Sequence, residues 1–450
     1  MCWLVAICQD SQKMKKMIAA VLAAASCASL AQAQAQSQQT GEQNAKPPTV
    51  TQTSEQPLRL FTLDDAVLAA GGAAPSNVAA AAGIEAAQAG RAFAGLRPNP
   101  TFQGQIENVA GSGPYTGLRS AETTVGVAIP LELGGKRTAR IAVATAQVSR
   151  AELQAAIAAA DIRVQVTQLY VEALAAERRL MTARDQARIA AEVLRGAGVR
   201  VQAGRASPLE QQRADVARIN ADANVERLTR LAEAARTNLA RRVGRPIDGA
   251  LDSQLLDRLP VATFGPVDPS TAKGTLALAA ADADLAIADA GIELARANRV
   301  PDINVGPALR RLEATNDIAA VFSISIPIPV FNNGRAAIAQ ATAEQTRAEA
   351  VRRVTALDVE QAITDAEAEA ANAATSARAA AGPALAAAQE AARIARIGYR
   401  EGKFGQLDLL DAERTLAETR VAAIDALANY QNARARLERL TAPVPDQQGN

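Results

Sequence analysis

The 450-residue sequence contains no histidine, and its three cysteines (Cys2, Cys8 and Cys27) all lie near its start. After Met17 the only methionine is Met181. Zinc clusters, soft-metal sites and nucleophile systems of the Ser–His–Asp or Cys–His kind are therefore excluded from the body of the chain. Only carboxylate chemistry remains, and no constellation of carboxylates supports a hydrolase. We therefore expect no enzyme, no cofactor and no metal site.

Aromatic residues make up only 3% of the sequence, and its 48 basic residues are balanced by 47 acidic ones. Because the chain has few rings for stacking on bases and no polybasic face, we expect no nucleic-acid partner. The residue in excess is alanine, which favours helices and lets neighbouring helices approach closely.

Residues 1–33 have the pattern of a signal peptide. Lys15 and Lys16 precede an apolar stretch over 17–30, and Ala31-Gln32-Ala33 forms an A-x-A cleavage site. The alternative, a retained membrane helix, is disfavoured because the apolar stretch is too short to span a bilayer comfortably.

Two points about this leader stay open. Residues 1–13 lie upstream of the pattern, which leaves Met14 as an alternative start, and Cys27 leaves lipidation possible in principle. After the leader, 34–57 is rich in Gln, Thr, Ser and Pro and predicts a flexible tether.

The rest of the chain is a duplication. An alternating apolar run that ends at glycine over 129–137 recurs over 326–335, each time before a long Ala-rich segment. A period of about 200 residues indicates two halves joined by pseudo-symmetry rather than a solenoid. We expect a first repeat over 58–242, an irregular belt outside the helices over 243–274, a second repeat over 275–441 and a disordered tail over 442–450.

Each repeat is expected to begin with a helix. In the first repeat Thr62 is placed as the N-cap and Asp65 as the acid of a capping box. The helical pattern reaches about residue 96, with a break expected around Gly71-Gly72 and Pro75. It stops at Arg97-Pro98-Asn99-Pro100, through which no helix continues.

Two pairs of strands follow these helices. Period-two alternation predicts strands over 101–109 and 122–131 in the first repeat and over 302–310 and 318–330 in the second. Runs of roughly ten residues match tilted strands across an outer membrane, although soluble hairpins have the same periodicity. A membrane barrel must close, and four strands are too few. Closure then requires symmetric assembly, with eight strands in a dimer or twelve in a trimer.

A long helical hairpin follows each strand pair, over 136–242 and over 335–440. Its first helix, 136–203, carries aliphatic and small residues at a strict seven-residue spacing from Ile141 to Ala190, which is typical of coiled-coil packing. Small residues at half of these positions favour a wall of helices packed side by side. The alternative is a simple soluble coiled coil.

The chain turns back at one glycine-containing turn in each repeat. Gly204 lies at the first turn, where Ser207 can cap the returning helix and Pro208 suits its first position. Gly402 lies at the corresponding turn of the second repeat. Both tips are therefore expected far from the strands.

This order of elements, repeated twice, resembles the TolC-type outer-membrane efflux channels over nearly the whole mature chain. Three motifs look most like the branch that serves heavy-metal efflux pumps of the cobalt-zinc-cadmium type. They are Leu131-Glu132-Leu133-Gly134-Gly135-Lys136-Arg137, Arg97-Pro98-Asn99-Pro100 and Ile326-Pro327-Ile328-Pro329-Val330-Phe331.

The resemblance implies a mainly α fold with a membrane β-barrel portion. Three chains would form a twelve-stranded barrel in outer-membrane lipid and a twelve-helix α-barrel, or tunnel, through the periplasm. It implies the exit duct of a tripartite pump that exports divalent heavy-metal cations. The duct would dock, by its hairpin tips, on a periplasmic adaptor (membrane fusion) protein and an inner-membrane, proton-driven exporter of the RND type.

The resemblance also places a pore gate at the periplasmic end of the tunnel. Tyr399 and Gly402 match the family's tyrosine–glycine turn, Asp408 and Asp411 match its pore-facing aspartates, and Glu210 is the corresponding carboxylate of the first repeat. Under threefold symmetry the aspartates would form two carboxylate rings that attract cations. The alternative is that they are solvated acids at a helix start, favoured by the helix dipole.

The sequence departs from the family pattern at Phe404, which stands where a basic gating partner is expected. Lys403 or Arg400 would then take that role. The adaptor-docking tips implied by the resemblance comprise Gly204, Arg205, Leu209, Gly402, Lys403, Phe404 and Leu407.

Other functions remain compatible with the sequence. A multidrug efflux channel or the outer-membrane channel of a type I secretion system would use the same fold, because a duct without His or Cys shows no metal selectivity of its own. A soluble periplasmic coiled-coil scaffold or adaptor is the alternative from another class. Adaptors usually carry one hairpin flanked by lipoyl-like β halves, whereas this chain has two hairpins and strands of transmembrane length.

Overall fold

The computed structural model of the chain describes residues 60–261 and 271–445. The predicted signal peptide with Cys27, the whole tether, part of the belt and the last residues of the tail lie outside the described residues.

Each repeat contains a starting helix, a strand hairpin and a helical hairpin. The first repeat consists of α1 (Leu63–Ala73), α2 (Pro75–Ala94), β1 (Thr101–Glu107), β2 (Glu122–Leu131), α3 (Lys136–Gln202) and α4 (Pro208–Val243). A short helix, α5 (Gln254–Asp257), precedes the second repeat. That repeat consists of α6 (Leu276–Ala297), β3 (Ile303–Leu312), β4 (Asp317–Ser325), α7 (Arg335–Ala379), a π-helical segment (Ala380–Ala384), α8 (Leu385–Arg400) and α9 (Gln406–Leu440).

The predicted helix starts are confirmed. The Thr62 hydroxyl oxygen accepts a hydrogen bond from Asp65 N at 3.2 Å, and the Asp65 carboxylate accepts one from Thr62 N at 3.2 Å, which completes a capping box. At α4, Ser207 Oγ accepts from Leu209 N at 3.2 Å, and Pro208 occupies the first position. The expected break in the starting helix falls at Ala74, directly before the proline that forces it.

The four strands form one antiparallel sheet in the order β1-β2-β3-β4. In this register Phe102 lies opposite Val127 on one face, and Gln105 lies opposite Thr124 on the other. One face is thus mostly apolar and largely exposed, and Thr123 and Arg311 are its polar members near one end of the sheet. Its large members are Phe102, Ile106, Val125, Val127, Ile129, Leu131, Leu309, Ile318, Phe322 and Ile324.

The opposite face of the sheet is polar. Near one end of the sheet, Arg310 donates to Glu122 Oε2 at 2.8 Å and to Thr124 Oγ1 at 3.0 Å, while its other amino group lies 3.2 Å from Glu107 Oε2. Charged groups that pair on one face, beside an apolar opposite face, give the sheet the two-sided pattern of an outer-membrane strand set.

Two strands are shorter than the sequence predicts. The strand predicted over 318–330 ends at Ser325, because Pro327 and Pro329 have no N–H to offer a ladder. The apolar side chains from Ile326 to Val330 therefore continue beyond the sheet. The strand predicted over 101–109 ends at Glu107, where Asn108 turns the backbone with a φ of 57°.

The helices pack in two sections that share α3 and α7. Near the sheet, α3 packs between α2 and α6, and α6 packs in turn on α7. Toward the tips, α3 packs between α4 and α9, and α9 packs on α7, the π-helical segment and α8. Each section is therefore a row of four helices. The seven-residue positions of α3 face this packing, since Val148, Ile162, Ala176, Ala183 and Ala190 are buried.

The main apolar core lies where the two sections meet. Tyr170 of α3 is fully buried there together with Leu239, Leu256 and Val243, and Phe61, Leu251 and Leu427 pack around them. The Tyr170 hydroxyl donates to Phe61 O at 2.7 Å and accepts from Asp252 N at 2.8 Å. The described part of the belt is thereby fixed to the outside of the helices.

The start of the tail is more ordered than the sequence predicts. Pro443 forms a β-bridge with Thr275, and Val444 N donates to Gly274 O at 3.3 Å. The disordered tail predicted from residue 442 is therefore wrong for these residues, because the backbone pairs with the segment that precedes α6.

The second helical hairpin contains an interruption that the sequence prediction missed. Gly382 has non-helical backbone angles (φ −98°, ψ −107°) and is followed by Pro383, which removes a helical hydrogen bond. The first hairpin has no such break, because α3 is continuous over 67 residues.

None of the described helices alone is both long and apolar enough to cross a membrane. The pair α1 and α2, bent by 51° at Ala74, meets the requirements of length and composition only when taken together.

Candidate functional site

The two hairpin tips are built as the same turn. Gly204 and Gly402 end their helices with φ values of 70° and 73°, which favour glycine. Arg205 N donates to Arg200 O at 2.8 Å, and Lys403 N donates to Gly398 O at 2.8 Å, as in a Schellman motif. The duplication therefore extends to the backbone hydrogen bonds of the tips.

Phe404 is a packing residue of the second tip. Its ring lies directly on the buried Gly398, and a Cβ at that position would clash with it. The ring is 43% exposed, so one side packs on the turn and the other faces outward. Phe404 thus fills the position where the family resemblance placed a basic partner.

Neither basic residue named as a replacement for that partner pairs with Glu210, because each is bound to another group among the described residues. The Lys403 ammonium pairs with Glu401 Oε2 at 2.7 Å, and both side chains are more than half exposed. Arg400 Nε donates to Arg396 O at 3.4 Å, within its own helix.

The basic residue beside Glu210 is instead Arg200, at the end of α3. Its Nη2 lies 4.0 Å from Glu210 Oε2, and its Cζ lies 5.3 Å from the centre of the Tyr399 ring. Arg200 and Glu210 belong to the first hairpin, whereas Tyr399 belongs to the second. This cluster therefore joins the two hairpins.

A second contact supports the same junction. The buried Gln406, at the start of α9, donates from Nε2 to Glu210 O at 3.3 Å. A small apolar cluster beneath it draws Val193 and Ala197 from α3, Ala214 from α4, Ala395 from α8 and Leu409 from α9. All four tip helices meet there.

Asp408 and Asp411 are exposed on the same face of α9, one turn apart. The Asp408 carboxylate accepts a hydrogen bond from Gly405 N at 2.9 Å and so caps the helix. The helix-start interpretation thus describes part of what Asp408 does. The cap does not take the Asp408 carboxylate out of the exposed face that it shares with Asp411.

The outward surface of the tips is both apolar and basic. Leu209 is 56% exposed and Leu407 is 62% exposed. Arg205 and Lys403 are exposed beside them, one on each turn. The tips thus combine exposed leucines with cations, a composition that can bind a partner through apolar contact and charge.

Ion pairs hold α9 against α3 along the length of the tip section. Arg179 Nη2 lies 2.7 Å from Asp425 Oδ1, and Arg420 Nη1 lies 3.6 Å from Asp185 Oδ2. These pairs link the first hairpin to the second above the gate cluster.

A buried carboxylate stabilises the second hairpin itself. Glu413 of α9 accepts hydrogen bonds from Nε and Nη2 of Arg396, and its side chain is 3% exposed. The hydrogen bonds that Arg396 donates to Glu413 raise the pKa of Arg396 above its ordinary value. Removal of Arg396 would leave a buried charge without its partner.

The junction between sheet and helices explains one motif of the family resemblance. Arg140 forms a forked ion pair with Glu132 and donates to Ala94 O at 3.3 Å and Leu96 O at 3.2 Å. The hydrogen bonds from Arg140 hold the pKa of Glu132 below its usual range. Lys136 pairs with Asp302 at 2.7 Å across the two repeats.

Sequence reasoning found the acids of the tip but missed Arg200, Gln406 and Gly398. The repeat register gives no signal for Arg200, because its counterpart in the second half is Gly398, which has no side chain. The structure also holds no grouping of three or more His, Cys, Asp or Glu able to bind a metal ion within the residues it describes.

Solved structures define the class of fold. The chain matches the structure of CusC with a TM-score of 0.69 at 18% identity, covering 86% of this chain and 93% of that one. It matches VceC from Vibrio cholerae with a TM-score of 0.67 at 17% identity, covering 85% of this chain and 96% of that one. The fold is that of outer-membrane channels of the TolC type.

The sequence comparison gives the family. The outer membrane efflux protein family matches residues 72–245 and 270–442. The chain is 28% identical to the cobalt-zinc-cadmium resistance protein CzcC of Cupriavidus metallidurans over 84% of this chain and 90% of that protein. It is 31% identical to the nickel and cobalt resistance protein CnrC of the same organism, over 62% of this chain and 67% of that protein.

This protein therefore belongs to the outer membrane efflux protein family, most like its heavy-metal resistance branch, and is a protein of the outer membrane. The predicted family resemblance is confirmed, and the coarse function is that of an efflux channel rather than an enzyme.

Proposed function

We propose that three copies of this chain form the outer-membrane exit duct of a tripartite pump that exports divalent heavy-metal cations. The observation that carries this proposal is the two-faced sheet. Its apolar face suits lipid and its polar face suits a water-filled lumen. Within the described residues, β1 and β4 each pair on one side only, so closure needs neighbouring copies.

Three copies supply twelve strands, and the same symmetry gives twelve helices in each section. The row of four helices near the sheet and the row of four toward the tips then close into one continuous tunnel. The trimer is preferred to the dimer because of the family resemblance.

The proposed gate lies at the periplasmic end of this tunnel. Asp408 and Asp411 form two rings of carboxylates across the pore, which attract cations and hinder other solutes. Tyr399 and Glu210 hold the second hairpin against the first. The exposed face shared by the two aspartates supports this assignment.

The proposed docking surface comprises both tip turns. Gly204 and Gly402 shape the turns, the exposed Leu209, Phe404 and Leu407 supply apolar area, and Arg205 and Lys403 supply charge. We propose that this surface binds a periplasmic adaptor, which couples the duct to a proton-driven exporter of the RND type in the inner membrane.

The metal assignment is supported by the names of the relatives, which are resistance proteins for cobalt, zinc, cadmium and nickel. The duct itself offers no His or Cys beyond the leader. We therefore place metal selection in the inner-membrane exporter. Multidrug efflux and type I secretion are the competing functions of the same channel.

Growth inhibition of a deletion strain tests this function. The strain, with its adaptor and exporter intact, is compared with its parent on cobalt, zinc, cadmium, nickel, copper and a set of hydrophobic drugs. Sensitivity confined to divalent cations is the expected result. Sensitivity to drugs alone would remove the metal assignment and keep the channel.

A separate fractionation tests the soluble alternative. After alkaline carbonate washing of envelopes, the duct is expected to stay with the outer membranes. Release into the wash would support a peripheral scaffold or adaptor.

A further inference from the structure

Arg200 lies beside Glu210 at the tips, and its guanidinium also faces an aromatic ring of the other hairpin. It lies in the last turn of α3, and its guanidinium stands between a carboxylate of its own hairpin and an aromatic ring of the other. The Cζ atom is 5.3 Å from the centre of the Tyr399 ring, and Nη2 is 4.0 Å from Glu210 Oε2. A guanidinium within about 6 Å of a ring centre is attracted by the negative face of the ring.

The hydroxyl group of Tyr399 does not make this contact. It is enclosed, and it has no hydrogen-bond partner among the residues that the structure describes. A tyrosine that linked the hairpins through its hydroxyl would place that oxygen against a donor or acceptor. What Tyr399 offers the first hairpin here is its ring.

The position of the Tyr399 ring is fixed by apolar packing. The ring packs against the apolar cluster of Val193, Ala197, Ala395 and Leu409, so it cannot turn freely away from Arg200. Arg200 Nη2 lies 4.0 Å from Glu210 Oε2, which is an ion pair without a hydrogen bond, and Glu210 is positioned by its backbone carbonyl, which accepts from Gln406 Nε2 at 3.3 Å. The cation therefore lies between two groups that are themselves positioned.

We infer that Arg200 fastens the two hairpins together by a contact with the ring of Tyr399 and that this contact, not a bond to the Tyr399 hydroxyl, keeps the tunnel end closed. The inference rests on the proposed function for its effect on gating. Arg200 is a positioning residue, since it acts on the second hairpin through Tyr399 and is not one of the residues proposed to form the carboxylate rings.

Two groups of variants test the inference. Arg200→Ala removes the cation and Tyr399→Leu removes the ring, so both are expected to free the second hairpin. Tyr399→Phe keeps the ring and loses only the hydroxyl, and Arg200→Lys keeps a cation. Both conservative variants are expected to keep the tunnel end closed. Tyr399→Phe should do so more fully than Arg200→Lys, because it keeps the planar guanidinium, which stacks on a ring better than an ammonium does.

Arg195→Ala is the matched control. Arg195 lies in the same helix, is exposed, and is truncated by the same change. Arg195→Ala removes the same charge and the same side-chain length from α3 as Arg200→Ala does. Arg195 takes no part in the contact with the Tyr399 ring.

The first measurement is single-channel conductance of the purified, full-length trimers in planar bilayers. Arg200→Ala and Tyr399→Leu are expected to raise conductance several-fold over the wild type, whereas Arg195→Ala does not. Tyr399→Phe with a conductance as high as that of Tyr399→Leu would overturn the inference, because the hydroxyl would then be the link. Wild-type conductance in Arg200→Ala would overturn it as well.

The second measurement does not depend on conduction. Amide hydrogen exchange of the purified chains is followed in segments 195–210 and 396–412. Arg200→Ala and Tyr399→Leu are expected to speed exchange in both segments, and Tyr399→Phe is expected to leave it close to the wild-type rate. Unchanged exchange in Arg200→Ala would overturn the contact itself. Faster exchange without any channel activity of the wild type would preserve the contact and reject the proposed duct.

Discussion

Phe322 and Ser323 are neighbours in β4 but lie on opposite faces of the sheet. The Phe322 ring is 66% exposed on the apolar face, and Ser323 Oγ donates to Gly306 O at 3.2 Å on the polar face. If the apolar face meets lipid, the two positions should respond differently to the same charge.

Phe322→Glu is therefore expected to reduce assembly in the outer membrane, because a charge facing lipid is destabilising, by about 2–4 kcal/mol for Arg or Lys at the bilayer midplane and by less for Glu. Ser323→Glu places the same charge on the proposed lumen side and is expected to assemble. Heat-resistant trimers in outer-membrane fractions are the measurement. Equal loss of trimers in both variants would contradict the assignment of the faces.

The charge of the gate can be removed without removing its helix cap. Asp408→Asn with Asp411→Asn leaves a side-chain oxygen that accepts from Gly405 N, whereas the double Ala variant loses it. Both double variants are expected to raise single-channel conductance or to weaken block by multivalent cations, since both lose the carboxylate rings. Unchanged conductance and unchanged block would remove these residues from the gate.

The tip surface predicts how an adaptor binds. Reversing the charge of Arg205 and Lys403 to Glu is expected to weaken the affinity for the adaptor, and to do so most at low salt. Arg227→Glu with Arg230→Glu is the matched control, because both residues are exposed on α4 well away from the tip. Surface plasmon resonance with the purified adaptor measures the effect. The same affinity in the tip variant and in its control would refute the docking surface.

Tyr170 predicts a pH dependence of stability. Burial raises the pKa of its hydroxyl to about 12 from an ordinary value of 10.0. A raised pKa means that the neutral form is favoured in the folded chain, so this contribution is present below pH 10. It is lost as the pH rises from about 10 to about 12, and on the order of 2–3 kcal/mol of the free energy of unfolding is involved.

Tyr170→Phe is expected to lower stability by about 1–2 kcal/mol at neutral pH, because Phe61 O and Asp252 N lose a partner. It should also flatten the fall in stability between pH 10 and pH 12. Thermal unfolding followed by circular dichroism at several pH values measures both, with Tyr115→Phe in an exposed loop as the control. An equally steep alkaline loss in Tyr170→Phe would assign that loss to other groups.

Local rules explain why most elements could be predicted from the sequence. Thr62 and Asp65 start a helix through contacts within one turn, and Pro208 marks the start of α4 in the same way. Period-two alternation located all four strands because one face of each is apolar. The duplication then assigned the second half from the first.

The predictions of strand length and of helix continuity failed where a proline or glycine lies within a sequence pattern that otherwise favours a strand or a helix. Pro327 and Pro329 continue the apolar alternation of β4 but cannot donate to a ladder, so alternation overstated the length of the strand. Gly382 and Pro383 lie within an otherwise helical Ala-rich run, and the break they cause was missed for that reason.

The contacts at the tips could be predicted only in part because they cross between hairpins. Asp408 and Asp411 are close in sequence and share a face by helical spacing alone. The approach of Arg200 to Tyr399 joins residues nearly 200 positions apart, and no local pattern encodes it. Phe404 at the expected basic position was the one visible sign that the partner lay elsewhere.

Zinc retained by cells tests the central claim most directly. A deletion strain carrying an empty vector, the wild-type chain or Phe322→Glu is loaded with zinc, transferred to zinc-free medium and sampled for cell-associated zinc by mass spectrometry. The wild-type chain is expected to restore rapid loss of zinc. With the empty vector or Phe322→Glu, cell-associated zinc is expected to stay high. Equal zinc loss in all three strains would contradict the account of this chain as the exit duct for metal cations.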